Sequence, residues 1–476
     1  MDRNLASTLL FSVSLLLSVS VAGANVYQVA SIEEGASPYQ RFSEATVGET
    51  EIAEERTHAT VFTAYRSENG HLIAINEDGT LWYYGDSYDE YYDVDPVDDH
   101  SVIVTAMDEL SKQECPVDTT CSIEYILQIN LTTGEESVFY ERYRPGIREN
   151  EWHDVDRLSE DVFLVAGMAK ERVFIVNTTT GIIDWAWDPQ SHYDISTGGS
   201  AVFGLPGYPY DWTHLNDVER LDDGRIMVSM RNHDEVIFID PSTGVEEDWT
   251  LGEDGDYSVL YEQHNPDFIP TERGGPAVIV ADSHNNRIVE FQRVNDEWRE
   301  SWTWADDDLQ WPRDADRLPN GHTIVTDTNG ARVVEVDRNG SVVWEVSRVP
   351  GVYDVERMGT GDESHTGKSA VALGLSGTVE TEPDAMGTDT STPPPTSTPG
   401  TLKGAIKSAV PPILLNSLLY VTPWWFSWLG LDGLGLFAAV GLAAAALRLR
   451  VPFTAIPVRL YRRVAAVVAR LRDRLC

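Results

Sequence analysis

From about residue 57 to residue 359 the chain alternates short apolar runs with acidic or glycine-bearing turns. The runs are of strand length and rich in β-branched residues, as in VFLVAG, RVFIVN, IMVSM, EVIFID, HTIVTD and RVVEVD. A tryptophan-bearing run closes several units: IIDWAWD, VEEDWTL, RESWTWA and VVWEVS. Units open on Asp-(Val/Ala)-(Asp/Glu), usually followed by Arg-(Leu/Met). The signature stands at Asp93, Asp154, Asp217, Asp314 and Asp354, and HNPDFIP at Asp267 fits less well. Four short strands per unit, recurring every roughly 40 to 60 residues, predict the blades of a β-propeller. The last signature, VYDVERM, is followed by little more, whereas ATVFTAYRSENGHLIAINEDGTLWYYG reads as a blade lacking its first strand. Joining the two chain ends in one blade closes the ring and removes exposed sheet edges. The fold expected is all-β, a six-bladed propeller, with seven blades as the alternative. A helical solenoid is excluded, because helical periodicity is nearly absent from this region.

The flanks read differently. Residues 1–24 are a signal peptide or membrane anchor, apolar over 5–24 and ending in Ala22-Gly23-Ala24. Residues 25–56 form an extracellular N-terminal segment, and 57–377 the propeller. Residues 378–402 are a Ser/Thr/Pro-rich linker. The apolar region 410–447 is transmembrane or interfacial, with Trp424, Trp425 and Trp428 suited to a membrane boundary. The arginine-rich tail, 448–476, is cytoplasmic by the positive-inside rule. The expected location is therefore the cell membrane, with the propeller outside. Sequons at Asn130, Asn177 and Asn339 agree with that side. Cys115 and Cys121 could close a small loop there or remain free thiols.

Charge adds two exclusions. With 77 acidic and 35 basic residues the formal net charge is −42, which argues against a nucleic-acid partner. Only five of the basic residues are lysine: Lys112, Lys170, Lys368, Lys403 and Lys407. Carboxylates spread over the whole chain suit a surface adapted to molar salt, where repulsion is screened within about 3 Å. That pattern points to a halophilic, haloarchaeal source.

Against this background three histidines stand out. Relative to the signature aspartate, His214 and His264 hold position −3 in successive blades, and His153 holds −1 in the blade before them. First strands of propeller blades line the channel, so three imidazoles are expected at its mouth. The next blade offers Trp311 and Arg313 there. Single histidines at strand ends are usually hydrogen-bonding fillers, and His58, His71, His192, His233, His284 and His322 are read that way. After His214-x-Asn216 the following strand ends in Ser229-Met230-Arg231, and an antiparallel pairing returns Arg231 to the same end. A guanidinium there is an anion clamp. Three histidines could hold zinc, but no close ligand pair or carboxylate accompanies them, and a fixed arginine disfavours a cation. No G-x-S-x-G is present for serine hydrolysis. Group transfer through a nucleophilic histidine fits these residues better, with no metal and no diffusible cofactor.

The stretch WTHLNDVERLDDGRIMVSMRNHDEVIFID resembles the arylsulfate sulfotransferase (arylsulfotransferase) family, whose members are six-bladed propellers that are secreted or membrane-anchored. The resemblance implies transfer of a sulfuryl group from a phenolic sulfate to a phenol or other hydroxyl acceptor, independently of the nucleotide sulfate donor. It implies that His264, in its Gln263-His264 context, is the transient sulfohistidine. Arg231, Asn216 and His214 would hold the sulfuryl oxygens, and His153 or His214 would protonate the leaving phenolate. The N-terminal β-domain of enterobacterial members is not visible, and the stalk and C-terminal apolar region are departures. Two other readings compete. One is a non-catalytic surface propeller that binds glycans or proteins, suggested by VADSHNNRIVEF. The other is a metal-dependent lactonase-type hydrolase using Asp154, Asp217 and Asp314. Their recurrence in every blade instead marks those aspartates as structural, bonding turn amides between blades.

Overall fold

The computed structural model describes residues 37–65, 69–116, 119–145, 152–168, 171–199, 211–375, 407 and 410–421. The anchor, the linker, the basic tail and most of the 410–447 region lie outside the described residues. Among the described residues no helix is long and apolar enough to cross a membrane.

Six antiparallel sheets are the blades of a six-bladed propeller. Blade 1 joins both ends of the domain: the innermost strand, Val352–Arg357, pairs with Thr60–Ala64, followed outward by His71–Ile75 and Leu81–Gly85. The inner strands of blades 2 to 6 are Glu90–Pro96, Trp152–Ser159, Leu215–Arg220, His264–Ile269 and Pro312–Arg317. All but the blade 5 strand carry the full signature, and that strand keeps only its aspartate, Asp267. Each blade is apolar on both faces, and the side chains fill six clusters, one between each pair of neighbouring blades. Phe62, Ile73, Ile324, Val333 and Trp344 fill the seam where blade 6 meets blade 1, and Tyr39 and Phe42 from the segment before the first blade join them. Each such fully buried side chain contributes about 1.5–3 kcal/mol.

Two readings are corrected. VEEDWTL is not a fourth strand: blade 4 has short pieces at Gly244–Val245 and Leu251–Gly252, with a 3-10 turn at Glu247–Trp249 between them. The break turns Trp249 inward, where its ring meets Phe238 and Trp298 and the Arg225 guanidinium lies 3.7 Å from its centroid. Four of the six signature aspartates do bond between blades, but to strand amides, not turn amides. Asp354 accepts from the Val94 amide at 2.7 Å, Asp93 from Val155 at 3.2 Å, Asp154 from Val218 at 2.7 Å and Asp314 from Val355 at 3.0 Å. The splayed inner strands cannot pair with one another, so their amides need these acceptors. Cys115 and Cys121 form a disulfide across the Ser101–Leu110 to Cys121–Asn130 connection.

Candidate functional site

The channel lining is set by a bulge repeated in the inner strands. In blades 3, 4 and 6 the pairing register slips so that the residue before the signature aspartate has no partner opposite it. Those residues are His153, Asn216 and Arg313. Tyr353 and Tyr92 hold the same position in blades 1 and 2, also at a register slip. A bulge re-aims side chains, and here it turns this position toward the axis. The His153 ring lies 4.6 Å from Tyr92 and 5.7 Å from Tyr353, centroid to centroid. His214 and His264 stand two positions earlier, His214 just ahead of its strand and His264 as the first residue of its own. His214 and Trp311 both take a left-handed backbone conformation (φ 45° and 58°) as the chain enters the inner strand.

All three predicted histidines converge. The His153 and His214 rings are 5.2 Å apart, and His214 and His264 are 6.4 Å apart. Asn216 is buried beside them; its Nδ2 donates to the Gln263 carbonyl at 3.1 Å, while its Oδ1 has no partner. The side chains around each ring fix its character. The Ser283 hydroxyl gives its proton to the Pro312 carbonyl at 2.7 Å, so at 2.8 Å from His264 Nδ1 it accepts. His264 therefore keeps its proton on Nδ1, and the Nε2 lone pair faces the channel, where Arg313 Nη1 meets it. His214 Nδ1 lies 2.6 Å from Asp211 Oδ1. His153 Nδ1 contacts the Tyr353 hydroxyl at 3.0 Å, and its Nε2 has no partner.

Burial, then the positive charge of Arg313, holds the His264 imidazole well below its usual range. Burial, then His214, does the same to His153. Burial also lowers His214, with Asp211 pulling against it. Burial alone would raise Asp211, but the His214 ring and Arg231 outweigh it and hold its carboxyl down. The free site thus holds neutral imidazoles and an ionised Asp211.

Arg231 is where the reading from sequence needs correction. The strand pairing does return it to the His214 end, with Leu215 opposite Met230. Its Nη2, however, is 2.5 Å from Glu262 Oε2, and its Nη1 donates to Asn232. Glu262 also faces His284 Nε2 at 3.1 Å, so His284, read as structural, belongs to the wall of the site. The guanidinium against the nucleophile candidate is Arg313. The sequence reading had placed Arg313 at the mouth without a role, and it missed Asp211, Ser283, Glu262 and Tyr353. A carboxylate three residues before His214 was the available signal for Asp211.

Farther along the inner strands the lining turns acidic. Burial, reinforced for most of them by neighbouring carboxylates, holds Asp93, Asp154, Asp217, Asp267 and Asp314 well above the usual range, and Asp354 is pushed up to about 6. Among the described residues, Asp267, Asp314 and Asp316 place ligand atoms within 4.8 Å of one another, a spacing that could hold a cation.

Residues 196–348 match the family model described as Arylsulfotransferase (ASST). That span takes in blades 4 to 6, with His214, Asn216, Arg231, His264 and Arg313, and omits His153 and Tyr353. No curated protein matches the chain. Solved structures that resemble it include a protein of unknown function from Bacteroides caccae, 13% identical with a TM-score of 0.42, covering 63% of this chain and 97% of that one. Another is a protein from Lactobacillus plantarum, at 10% identity and TM-score 0.41, covering 63% and 98%. A third is the periplasmic gluconolactonase of Pseudomonas aeruginosa, at 12% identity and TM-score 0.39, covering 64% and 99%.

Proposed function

We propose that the protein is an arylsulfotransferase that moves a sulfuryl group from a phenolic sulfate ester to a phenol or another hydroxyl through His264. The observation that carries the reading is the unprotonated Nε2 of His264, held toward a buried arginine by the Ser283 contact on Nδ1. The arylsulfotransferase match over residues 196–348 supports the class of reaction. In the first half, Nε2 attacks sulfur, the N–S bond forms and the S–O bond to the aryl oxygen breaks. His214 takes up a proton from solvent as the anionic ester binds, with Asp211 beside it, and the departing phenolate takes the bond pair and that proton. In the second half an acceptor hydroxyl gives its proton to His214, its oxygen attacks sulfur, and the N–S pair returns to Nε2. His214 is the better proton carrier of the two candidates, because Asp211 stabilises its protonated form while His153 faces only a phenol. Asn216, His153 and Arg313 would surround the sulfuryl oxygens.

The test is release of 4-nitrophenol from 4-nitrophenyl sulfate, with and without a phenol acceptor. Release that rises with acceptor and survives chelation supports transfer. Release lost on chelation favours the metal-dependent hydrolase, for which Asp267, Asp314 and Asp316 are the available carboxylates. We also propose that the propeller lies outside a membrane that the apolar C-terminal region engages. The Cys115–Cys121 disulfide favours an oxidising compartment.

A further inference from the structure

Five buried arginines in this propeller are matched by carboxylates. Arg231, Arg287, Arg317, Arg332 and Arg357 each have a carboxylate oxygen within 3.0 Å. Arg313 is 6% exposed and stands apart. Its Nη1 meets His264 and its Nη2 reaches the Tyr65 hydroxyl at 3.3 Å. Its carbon lies 4.2 Å from the Trp311 ring centroid and 5.6 Å from that of Tyr353, and its Nε has no partner. Among the described residues it forms no ion pair. An uncompensated buried charge is costly, by several kcal/mol in principle, unless a ligand supplies the counter-charge.

We propose that the site is charge-matched to a single negative charge, because Glu262 neutralises Arg231 and leaves Arg313 alone to face the ligand, so that sulfate monoesters are accepted and dianionic phosphate monoesters are refused. The inference rests on the proposed function for the position of the sulfuryl group. In the state that donates a proton, His214 is positive and Asp211 beside it cancels that charge. Glu262 cancels Arg231. The remainder is the one charge of Arg313, equal and opposite to that of an aryl sulfate. A phosphate monoester brings a second charge, with no cation left to meet it and buried carboxyls one position farther along the inner strands. The orphaned Nε of Arg313 and the free Nε2 of His153 leave positions for sulfuryl oxygens.

The experiment measures dissociation constants by calorimetry on the full chain at one pH. The probes are phenyl sulfate, phenyl phosphate and the monoanionic methyl phenyl phosphate. Phenyl sulfate is expected to bind at least about 30-fold more tightly than phenyl phosphate, with the methyl ester on the monoanion side. E262Q frees Arg231 and should shrink the ratio about tenfold or more, whereas R313Q should lose phenyl sulfate binding and R313K should restore part of it. Equal binding of phenyl sulfate and phenyl phosphate overturns the proposal, as does a folded E262Q with an unchanged ratio. If E262Q fails to fold, the ranking of the methyl ester against phenyl phosphate decides in its place. Charge preference without sulfuryl transfer would sink the transferase reading and leave charge matching standing. Transfer without charge preference would do the reverse.

Discussion

At the scale of single residues, roles follow from what each side chain touches. His264 has its Nδ1 proton engaged by Ser283 and its Nε2 presented to the channel. H264A should therefore keep the fold and lower sulfuryl transfer on the order of a thousandfold or more. Retained turnover in folded H264A would refute the assignment. H214A should cost about a hundredfold with phenyl sulfate and markedly less with 4-nitrophenyl sulfate, whose phenolate leaves without a proton. A penalty equal for both donors would move the proton-donor role elsewhere. The pH dependence follows from the lowered His264 pKa. A depressed pKa keeps the ring neutral as pH falls through the ordinary value of 6.5, so the acid limb of kcat/KM should lie below it. The charged or titrating groups facing His264 are Arg313, Arg231, His214 and His153, and Arg313 is the strongest after burial. R313Q should shift the limb upward, which a merely structural arginine would not do.

At the scale of elements, the inner strand carries both the ring closure and the site. In four blades its signature aspartate holds a neighbouring blade, and the bulge just before it turns a side chain into the channel. Asp154 accepts the Val218 amide, so D154A leaves a buried donor unmet and should cost about 2 kcal/mol in chemical denaturation. Asp217 has an unpartnered Oδ1 and accepts no amide of the next blade; there Glu219 accepts from Phe268 instead. D217N should thus be neutral or raise stability by about 1 kcal/mol at pH 8. Equal losses from both variants would contradict the division of labour. The inner strands were legible in the sequence because the signature recurs in five of them and its aspartate in the sixth, and blade 1 closure was legible because its two halves sit at opposite ends of the domain. The bulge was not legible, since a register slip is decided by the partner strand. Reading by residue type found His153, His214 and His264; reading by position would have found the ring of Tyr92, His153, Asn216, Arg313 and Tyr353. The Arg231–Glu262 pair spans 31 positions and the Arg313–His264 contact spans 49, and neither spacing leaves a local trace.

At the scale of the molecule, the channel concentrates buried carboxyls whose folded pKa values are raised. Asp362 is pushed up to about 7, and Asp156 and Asp354 to about 6, each first by burial. A raised folded pKa means that the native state binds more protons than the unfolded chain between the two values. Stability from these groups is full near pH 4 and is lost as pH rises through about 6 to 7. The buried histidines oppose this. His71 and His233, lowered to about 4 by burial, lose stability as pH falls from 6.5 toward 4. The carboxyls outnumber them, so the midpoint of chemical denaturation should decline from pH 6 to pH 8; a rise over that interval would contradict the electrostatic account of the channel. The central claim, that His264 carries the sulfuryl group, is tested most directly by peptide-mapped mass analysis of the full chain quenched after mixing with 4-nitrophenyl sulfate. The account predicts one added sulfuryl group on the peptide containing His264, formed as nitrophenol is released and removed by a phenol acceptor. A folded protein that releases nitrophenol with no adduct, or with the adduct on another residue, would contradict it.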